Sequence, residues 1–181
     1  MSAVARRPGF KFRFFPPLLI VFCLASFGFA GIFSARTAEA AAAKAPDFSL
    51  KTVNGKAYAL SAYRGKPVLL NFWATWCPAC REELPSLVKL ARKYKGKLQV
   101  LSVSIDSPAG PLKEYLGNHP LPFPVLSDPN REVAFDLYAV FGLPATFLID
   151  KNGNLIERVY GAQDWMSPGM VGKVKKLLSA K

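Results

Sequence analysis

The motif Cys-Pro-Ala-Cys at residues 77–80 lies between two segments of different character. Before it, the run Val68–Trp73 is short and apolar and follows a Gly-Lys-Pro turn, which predicts a buried strand. After it, residues 81–94 carry apolar side chains at helical spacing. The sequence therefore predicts that Cys77 lies where a strand passes into the first turn of a helix.

This position favours a reactive thiol at Cys77. The unpaired N–H groups and partial positive charge of a helix N-terminus stabilise a thiolate, and such sites lower a cysteine pKa from about 8.5 into the range of about 3.5–7.5. Cys80 lies on the same helical face and can close a disulfide with Cys77. We therefore predict a redox-active dithiol in which Cys77 attacks and Cys80 resolves.

The motif has two alternative interpretations, half of a zinc site and two unreactive core cysteines. Zinc is disfavoured because there is no second C-x-x-C motif and His119 is the single histidine.

Residues 72–85, FWATWCPACREELP, resemble the active-site segment of the thioredoxin superfamily. More narrowly, they are similar to the exported thiol–disulfide oxidoreductases of the TlpA/ResA type, and the resemblance extends from Pro46 to the C-terminus. It implies an α/β, thioredoxin-like fold with a mixed central sheet flanked by helices. It also implies an N-terminal hairpin, which plain thioredoxin lacks, and a helix-and-strand insert within the domain.

The remaining elements have signals of their own. A turn at Asn54-Gly55 between short strand patterns predicts the hairpin, and Asn152-Gly153 predicts a second one. The other predicted elements are a strand over 98–105, a helix near 111–116, a strand at 125–126, an amphipathic helix over 131–140, and a final helix over 169–178.

The N-terminal region predicts export. Residues 1–13 carry four basic side chains and no acid, and an apolar stretch follows at 18–33. This pattern is typical of a signal peptide or a membrane anchor, and Ala38-Glu39-Ala40 offers a cleavage site. We expect residues 1–40 to form this segment and its tether, and residues 41–181 to form the thioredoxin-like domain. The basic flank places the domain in the bacterial periplasm or on the outer face of the cytoplasmic membrane, soluble after cleavage or anchored if uncleaved. Cys23 is read as a small apolar residue of this segment. Lipoprotein attachment is the alternative, disfavoured because Val21 and Phe22 before it are bulkier than that processing usually tolerates.

Charge does not indicate nucleic acid as a partner. The chain has 181 residues and a net charge of +12, but its lysines and arginines are scattered rather than interleaved with aromatic residues. We interpret the excess as solvated surface.

Two positions bear on proton transfer. Thioredoxin has a buried aspartate where this chain has Asn71, and a neutral amide cannot act as a base. Glu83 lies three residues after Cys80 on the same helical face, and a partly buried carboxylate there would have a raised pKa. Proteins of the ResA type also carry a glutamate here. We therefore predict that Glu83 exchanges the protons of the dithiol, whereas Glu82 points to solvent.

A second motif, FGLPATFLID at residues 141–150, places Pro144 at the start of a strand. In thioredoxin-like proteins the matching proline is cis and lies against the active-site disulfide, so the resemblance implies the same for Pro144. The backbone of Leu143 could then pair with an extended substrate. We predict that Leu143 contacts the substrate together with Trp76 and Pro78, which flank Cys77.

These predictions combine into a thiol–disulfide oxidoreductase that needs no metal and no organic cofactor. The resemblance implies a reductase of disulfide-bearing exported proteins, with the cysteines of apocytochrome c in cytochrome c maturation as a candidate substrate. We expect a monomer. It further implies a membrane dithiol as the electron donor.

Two alternatives belong to other functional classes. A peroxiredoxin-like thiol peroxidase would have a threonine three residues before its cysteine, where this chain has Ala74; Thr75 is out of step. A Cu(I)-binding chaperone of thioredoxin fold would use both thiolates. Such chaperones resemble C-x-x-x-C with a distant histidine, which the C-x-x-C motif and His119 do not match.

Overall fold

The computed structural model describes residues 43–180, so the predicted signal peptide or anchor at 1–40, with Cys23, lies outside the described residues. Within them, one mixed sheet contains parallel and antiparallel neighbours, as predicted. Its strands are β1 (Ser49–Thr52), β2 (Ala57–Ala59), β3 (Val68–Trp73), β4 (Gln99–Ser104), β5 (Val125–Ser127), β6 (Ala145–Ile149) and β7 (Leu155–Tyr160). They are arranged in the order β2-β1-β5-β4-β3-β6-β7.

Strand β3 is the centre of this sheet. It pairs in parallel with β4 and antiparallel with β6, and all of its residues are buried. A strand covered on both faces reads as a continuous apolar run, which explains why its bounds match the prediction. The carboxyl end of β3 therefore delivers the cysteine motif from the middle of the sheet.

The predicted hairpins are both present. Strand β1 pairs antiparallel with β2, and it joins the sheet through β5. Strands β6 and β7 are connected by a turn in which Gly153 has a φ of 78°, a conformation that glycine adopts without a Cβ clash. The carboxylate of Asp150 accepts hydrogen bonds from the backbone N–H groups of Asn152 and Asn154, which fixes this turn.

The part of the chain that the structure describes contains three α-helices: α1 (Pro78–Lys93), α2 (Gly110–Asn118) and α3 (Pro168–Ser179). A short 3-10 helix, Leu60–Tyr63, precedes β3. Helix α1 has its first turn at the cysteine motif, as predicted, because Cys77 caps it and Pro78 occupies its first position. The predicted helix over 131–140 is instead a π-helical segment, Glu132–Leu137. Left-handed backbone at Arg131 (φ 63°) and Ala139 (φ 51°) interrupts a regular helix on both sides.

The core lies beneath the cysteine motif. Trp73, Trp165, Phe72 and Phe147 are among its largest fully buried side chains. In the range 43–180, no helix combines the length and the apolar character needed to cross a membrane.

Candidate active site

Cys77 and Cys80 form a disulfide at the junction of β3 and α1, with their Cα atoms 5.3 Å apart. Cys77 is the N-cap of α1, and its sulfur accepts a hydrogen bond from the Cys80 N–H at 3.2 Å. The exposed fractions are 6% for Cys77 and 0% for Cys80, so an incoming disulfide can reach only Cys77. The predicted positions of the two cysteines are confirmed, and their asymmetry fits attack by Cys77.

Glu83 is buried on the same helix, with 3% of its surface exposed. Its Oε1 accepts a hydrogen bond from Asn71 Nδ2 at 2.8 Å, and its Oε2 accepts one from the Gln163 N–H at 3.1 Å. Burial raises the pKa of Glu83 to about 7, although these two donors favour the ionised form. The carboxylate is more deeply buried than predicted, and it gains or loses a proton close to neutral pH. Its neighbour Glu82 is exposed.

A short polar row crosses the sheet behind Glu83. Asn71 on β3 lies opposite Ser102 on β4 and Thr146 on β6. Its side-chain amide donates to Thr146 Oγ1 at 3.0 Å, and its Oδ1 accepts from Ser102 Oγ at 3.5 Å. These bonds satisfy a fully buried amide and fix the direction from which it donates to Glu83.

The Leu143–Pro144 peptide bond is cis, as the resemblance implied. Pro144 is buried, and its carbonyl accepts a hydrogen bond from the Gly161 N–H at 2.9 Å. Leu143 is half-buried and lines one cleft with Trp76, Cys77 and Pro78. The structure thus brings the predicted substrate contacts together around Cys77, whereas Glu83 lines a separate groove with Gln163.

Asp106 is a buried acid that the sequence reasoning did not single out. It is 1% exposed and lies two residues after the end of β4. Its carboxylate accepts hydrogen bonds from the Thr75 hydroxyl at 2.6 Å, the Thr75 N–H at 3.0 Å and the Ser104 hydroxyl at 2.5 Å. These bonds fix the loop between β3 and Cys77. The only signal in the sequence was an aspartate at the carboxyl end of a strand, which is common in turns.

Other titratable groups do not join the site. His119 stacks on Tyr115 with ring centroids 4.5 Å apart and is exposed. Among residues 43–180, no three side chains of histidine, cysteine, aspartate or glutamate are grouped so as to hold a metal ion. The site thus presents two sulfurs, and Glu83 lies three residues after Cys80 on the same helix.

Comparison with known proteins agrees with this geometry. Residues 41–158 match the AhpC/TSA family. The thiol-disulfide oxidoreductase ResA of Geobacillus thermodenitrificans is 36% identical over 148 residues, which cover 80% of this chain and 84% of that protein. The thioredoxin-like protein YneN of Bacillus subtilis is 42% identical over 113 residues, covering 61% and 65%. The crystal structure of a protein from Chlorobium tepidum, described as the thiol:disulfide interchange protein DsbE, has a TM-score of 0.71 at 34% identity and covers 76% of this chain and 97% of its own.

Proposed function

The chain belongs to the AhpC/TSA family and is a thiol–disulfide oxidoreductase, and from this premise we propose that it reduces disulfides of exported proteins through Cys77 and Cys80. The observation that carries the proposal is the Cys77–Cys80 disulfide at the N-terminus of α1, with Cys77 on the accessible side. Similarity to proteins named for thiol–disulfide exchange supports the same chemistry here.

In the first step, the Cys77 thiolate attacks one sulfur of the substrate disulfide. The substrate S–S bond breaks, its electron pair leaves with the second sulfur, which takes up a proton, and a mixed disulfide joins Cys77 to the substrate. The helix N-terminus and the Cys80 N–H, which donates to Cys77 Sγ, stabilise the attacking thiolate.

In the second step, Cys80 loses its proton and attacks the Cys77 sulfur. The substrate leaves as a thiol, reduced by two electrons in all, and the enzyme keeps the Cys77–Cys80 disulfide. We assign the proton of Cys80 to Glu83, because both groups lie on one face of α1 and the Glu83 pKa of about 7 suits proton exchange near neutrality. A membrane dithiol then returns the enzyme to its reduced state.

The direction of exchange is tested by the reduction potential of the full-length chain, equilibrated in a defined thiol buffer. A value near or below about −250 mV agrees with a reductase, and a value near about −120 mV would make the protein a disulfide donor. The Cys80→Ser variant is the control, since it cannot form the internal disulfide and should show no two-electron transition.

Apocytochrome c cysteines are the substrates that we propose first, because the resemblance to the TlpA/ResA type implies them. A peptide with an oxidised C-x-x-C-H sequence, the haem-attachment motif, provides the test. The reduced protein should reduce this peptide faster than it reduces insulin disulfides. Equal rates for the peptide and for insulin would indicate a general disulfide reductase without preference for apocytochrome c.

Peroxidase activity is the competing function to be tested. Ala74 stands where a peroxidase would need a threonine, and the Thr75 hydroxyl already donates to Asp106. We therefore expect no peroxide consumption at ordinary peroxidase rates, and such consumption would replace the proposal. In the same way, stoichiometric and tight Cu(I) binding that is lost in Cys77→Ser would favour a copper chaperone.

We also propose that residues 1–40 direct the domain at 41–181 across the cytoplasmic membrane, where it acts as a monomer. Protease treatment of intact spheroplasts should digest the domain. Protection from protease would place it in the cytoplasm and remove the exported substrates. Light scattering of the purified chain measures its oligomeric state.

A further inference from the structure

The cleft beside Cys77 has a second wall that the exchange chemistry does not use. The cleft has a volume of about 500 Å³, and one side of it consists of Trp76, Cys77 and Pro78 at the start of α1. The other side comes from the segment around the π-helix. We call its four residues before Gly142 the insert wall: Arg131, Phe135, Val140 and Phe141.

The insert wall exposes aromatic surface next to the nucleophile. The exposed fraction is 84% for Phe141 and 36% for Phe135, and across the cleft it is 59% for Trp76. The Phe135 and Phe141 rings lie 6.1 Å apart, so they form one patch rather than isolated side chains. A contiguous apolar patch in water is unfavourable and typically marks a surface that a partner covers.

This wall stands on an anchored segment. The buried carboxylate of Asp128 accepts a hydrogen bond from the Ala134 N–H at 2.8 Å, within the π-helix. The Tyr138 hydroxyl donates to the Pro46 carbonyl at 2.7 Å, and Tyr138 itself is 3% exposed. The aromatic patch is therefore presented by a fixed backbone and does not need to be ordered by its ligand.

The backbone of the segment also departs from regular structure. Arg131 and Ala139 adopt left-handed conformations, with φ of 63° and 51°, although neither is glycine. Between them lies the π-helix Glu132–Leu137. Such conformations are unfavourable, persist only where the surroundings enforce them, and are concentrated at binding and catalytic sites. Here they occur directly at the edge of the cleft.

Arg131 is the charged residue of the cleft lining. Its guanidinium lies 5.6 Å from the centre of the Phe135 ring. Within residues 43–180 it forms no ion pair. Glu132 and Asp136, on the same segment, line a different groove with Phe48. A cation therefore borders an apolar cleft, and no carboxylate of the described residues 43–180 pairs with it.

We propose that the insert wall selects disulfide substrates by the residues beside the target cysteine. The preferred segment has a large apolar side chain next to the cysteine, which the patch of Trp76, Phe135 and Phe141 covers, and a nearby carboxylate that pairs with Arg131. This selection rests on the proposed reductase function, because it applies to the segment attacked by Cys77. The thiol–disulfide exchange steps are those given for the proposed function. The insert wall binds the substrate segment and takes no part in these steps.

The test uses four short peptides with one cysteine each, held in a mixed disulfide with 2-mercaptoethanol, a small uncharged leaving group. One peptide has alanine beside the cysteine, one has phenylalanine, and two have phenylalanine with either aspartate or lysine two positions further on. The fully reduced full-length chain is mixed with each peptide, the reaction is stopped by alkylation at successive times, and the second-order rate constant of this single turnover is obtained by mass spectrometry. Bis(2-hydroxyethyl) disulfide, which has no side chains, reports the exchange chemistry alone.

The phenylalanine peptide should react about tenfold faster than the alanine peptide, the effect of withdrawing part of a phenyl ring from water. The aspartate peptide should exceed the lysine peptide about fivefold at low salt, and about 0.5 M sodium chloride should reduce this ratio because it screens the charges. The Phe141→Ser variant should lower the first ratio towards one, and Arg131→Met should abolish the second. Leu137→Ser is the matched control, since Leu137 is 44% exposed on the same π-helix but lines the other groove, and both ratios should stay unchanged.

Equal rates for all four peptides in the wild-type chain would overturn the selection, and they require no variant to interpret. Ratios that persist in Phe141→Ser and Arg131→Met would overturn the assignment to the insert wall. If neither the peptides nor the small disulfide is reduced at all, the proposed reductase function is overturned, and the selection with it. The selection alone fails when bis(2-hydroxyethyl) disulfide is reduced but the peptides are not distinguished.

Discussion

The Glu83→Gln substitution should destabilise the protein at acid pH and stabilise it above neutral pH. Glu83 is 3% exposed, and its pKa in the folded protein is about 7 against an ordinary value of 4.5. The folded state therefore retains the proton at a pH where the unfolded chain has lost it. The free energy of unfolding should fall as the pH rises from 4.5 to about 7, and this dependence disappears when the carboxyl is replaced by an amide.

The magnitude follows from the same two pKa values. At about 1.4 kcal/mol for each pH unit between them, the ionised Glu83 lowers stability by about 3 kcal/mol above pH 7. Glutamine keeps the volume and can still accept from Asn71 through its oxygen. Its NH₂ group then faces the Gln163 N–H, which loses a hydrogen bond of about 1 kcal/mol. The Glu83→Gln variant should be about 1 kcal/mol less stable than the wild type near pH 4 and about 2 kcal/mol more stable near pH 8.

Urea unfolding of the oxidised proteins, followed by circular dichroism from about pH 4 to pH 8, measures this difference. Keeping the disulfide intact removes any contribution from the cysteines. The exposed neighbour provides the control, and Glu82→Gln should not change how the unfolding free energy depends on pH. A Glu83→Gln difference that stays constant within about 0.5 kcal/mol over this range would show that burial does not raise the Glu83 pKa, and the proton-transfer role would lose its basis.

Three further predictions follow from other contacts. Cys80→Ser should trap a substrate on Cys77 as a mixed disulfide that persists in non-reducing mass spectrometry; no adduct with a substrate that the wild type reduces would contradict the order of attack. Asp106→Asn should lower the free energy of urea unfolding by about 2 kcal/mol, because a buried carboxylate with several donors is replaced, and Thr75→Val should lower it by about 1 kcal/mol. A larger loss for Thr75→Val than for Asp106→Asn would refute the view that the carboxylate organises the loop. Tyr138→Phe should lower the same free energy by about 1 kcal/mol, and no change would mean that its hydroxyl bond does not anchor the insert wall.

Local patterns predicted the centre of the fold because local and tertiary preferences agree there. Val68–Trp73 is buried on both faces of the sheet, so its apolar run identified its bounds directly. The cysteine motif was predictable for the same reason, since Cys77 caps α1 and Pro78 occupies a position where proline is favoured. The cis bond before Pro144, by contrast, was inferred from resemblance and not from spacing.

The insert illustrates what periodicity cannot supply. Apolar residues over 131–140 recur at helical spacing, but the left-handed backbone at Arg131 and Ala139 limits the regular part to a π-helix. This outcome depends on the Asp128 carboxylate, which binds the Ala134 N–H from outside the segment, and on the Tyr138 hydroxyl, which reaches a carbonyl distant in sequence. Asp106 was missed for a similar reason, because its partner Thr75 follows a different strand, β3.

Asn71 and Glu83 appear in the sequence as two separate departures from thioredoxin, an amide in place of a buried acid and an acid on the following helix. In the structure they form one unit, since the Asn71 amide donates to the Glu83 carboxylate at 2.8 Å. Asn71 can hold this direction because Ser102 and Thr146, its partners on the two adjacent strands, bind the rest of its amide. A buried carboxyl near Cys80 is thus kept, but it is carried by the helix that also carries both cysteines. Any movement of α1 on oxidation or reduction would move the acid together with the sulfurs, and the strand would contribute only the hydrogen bond that orients it.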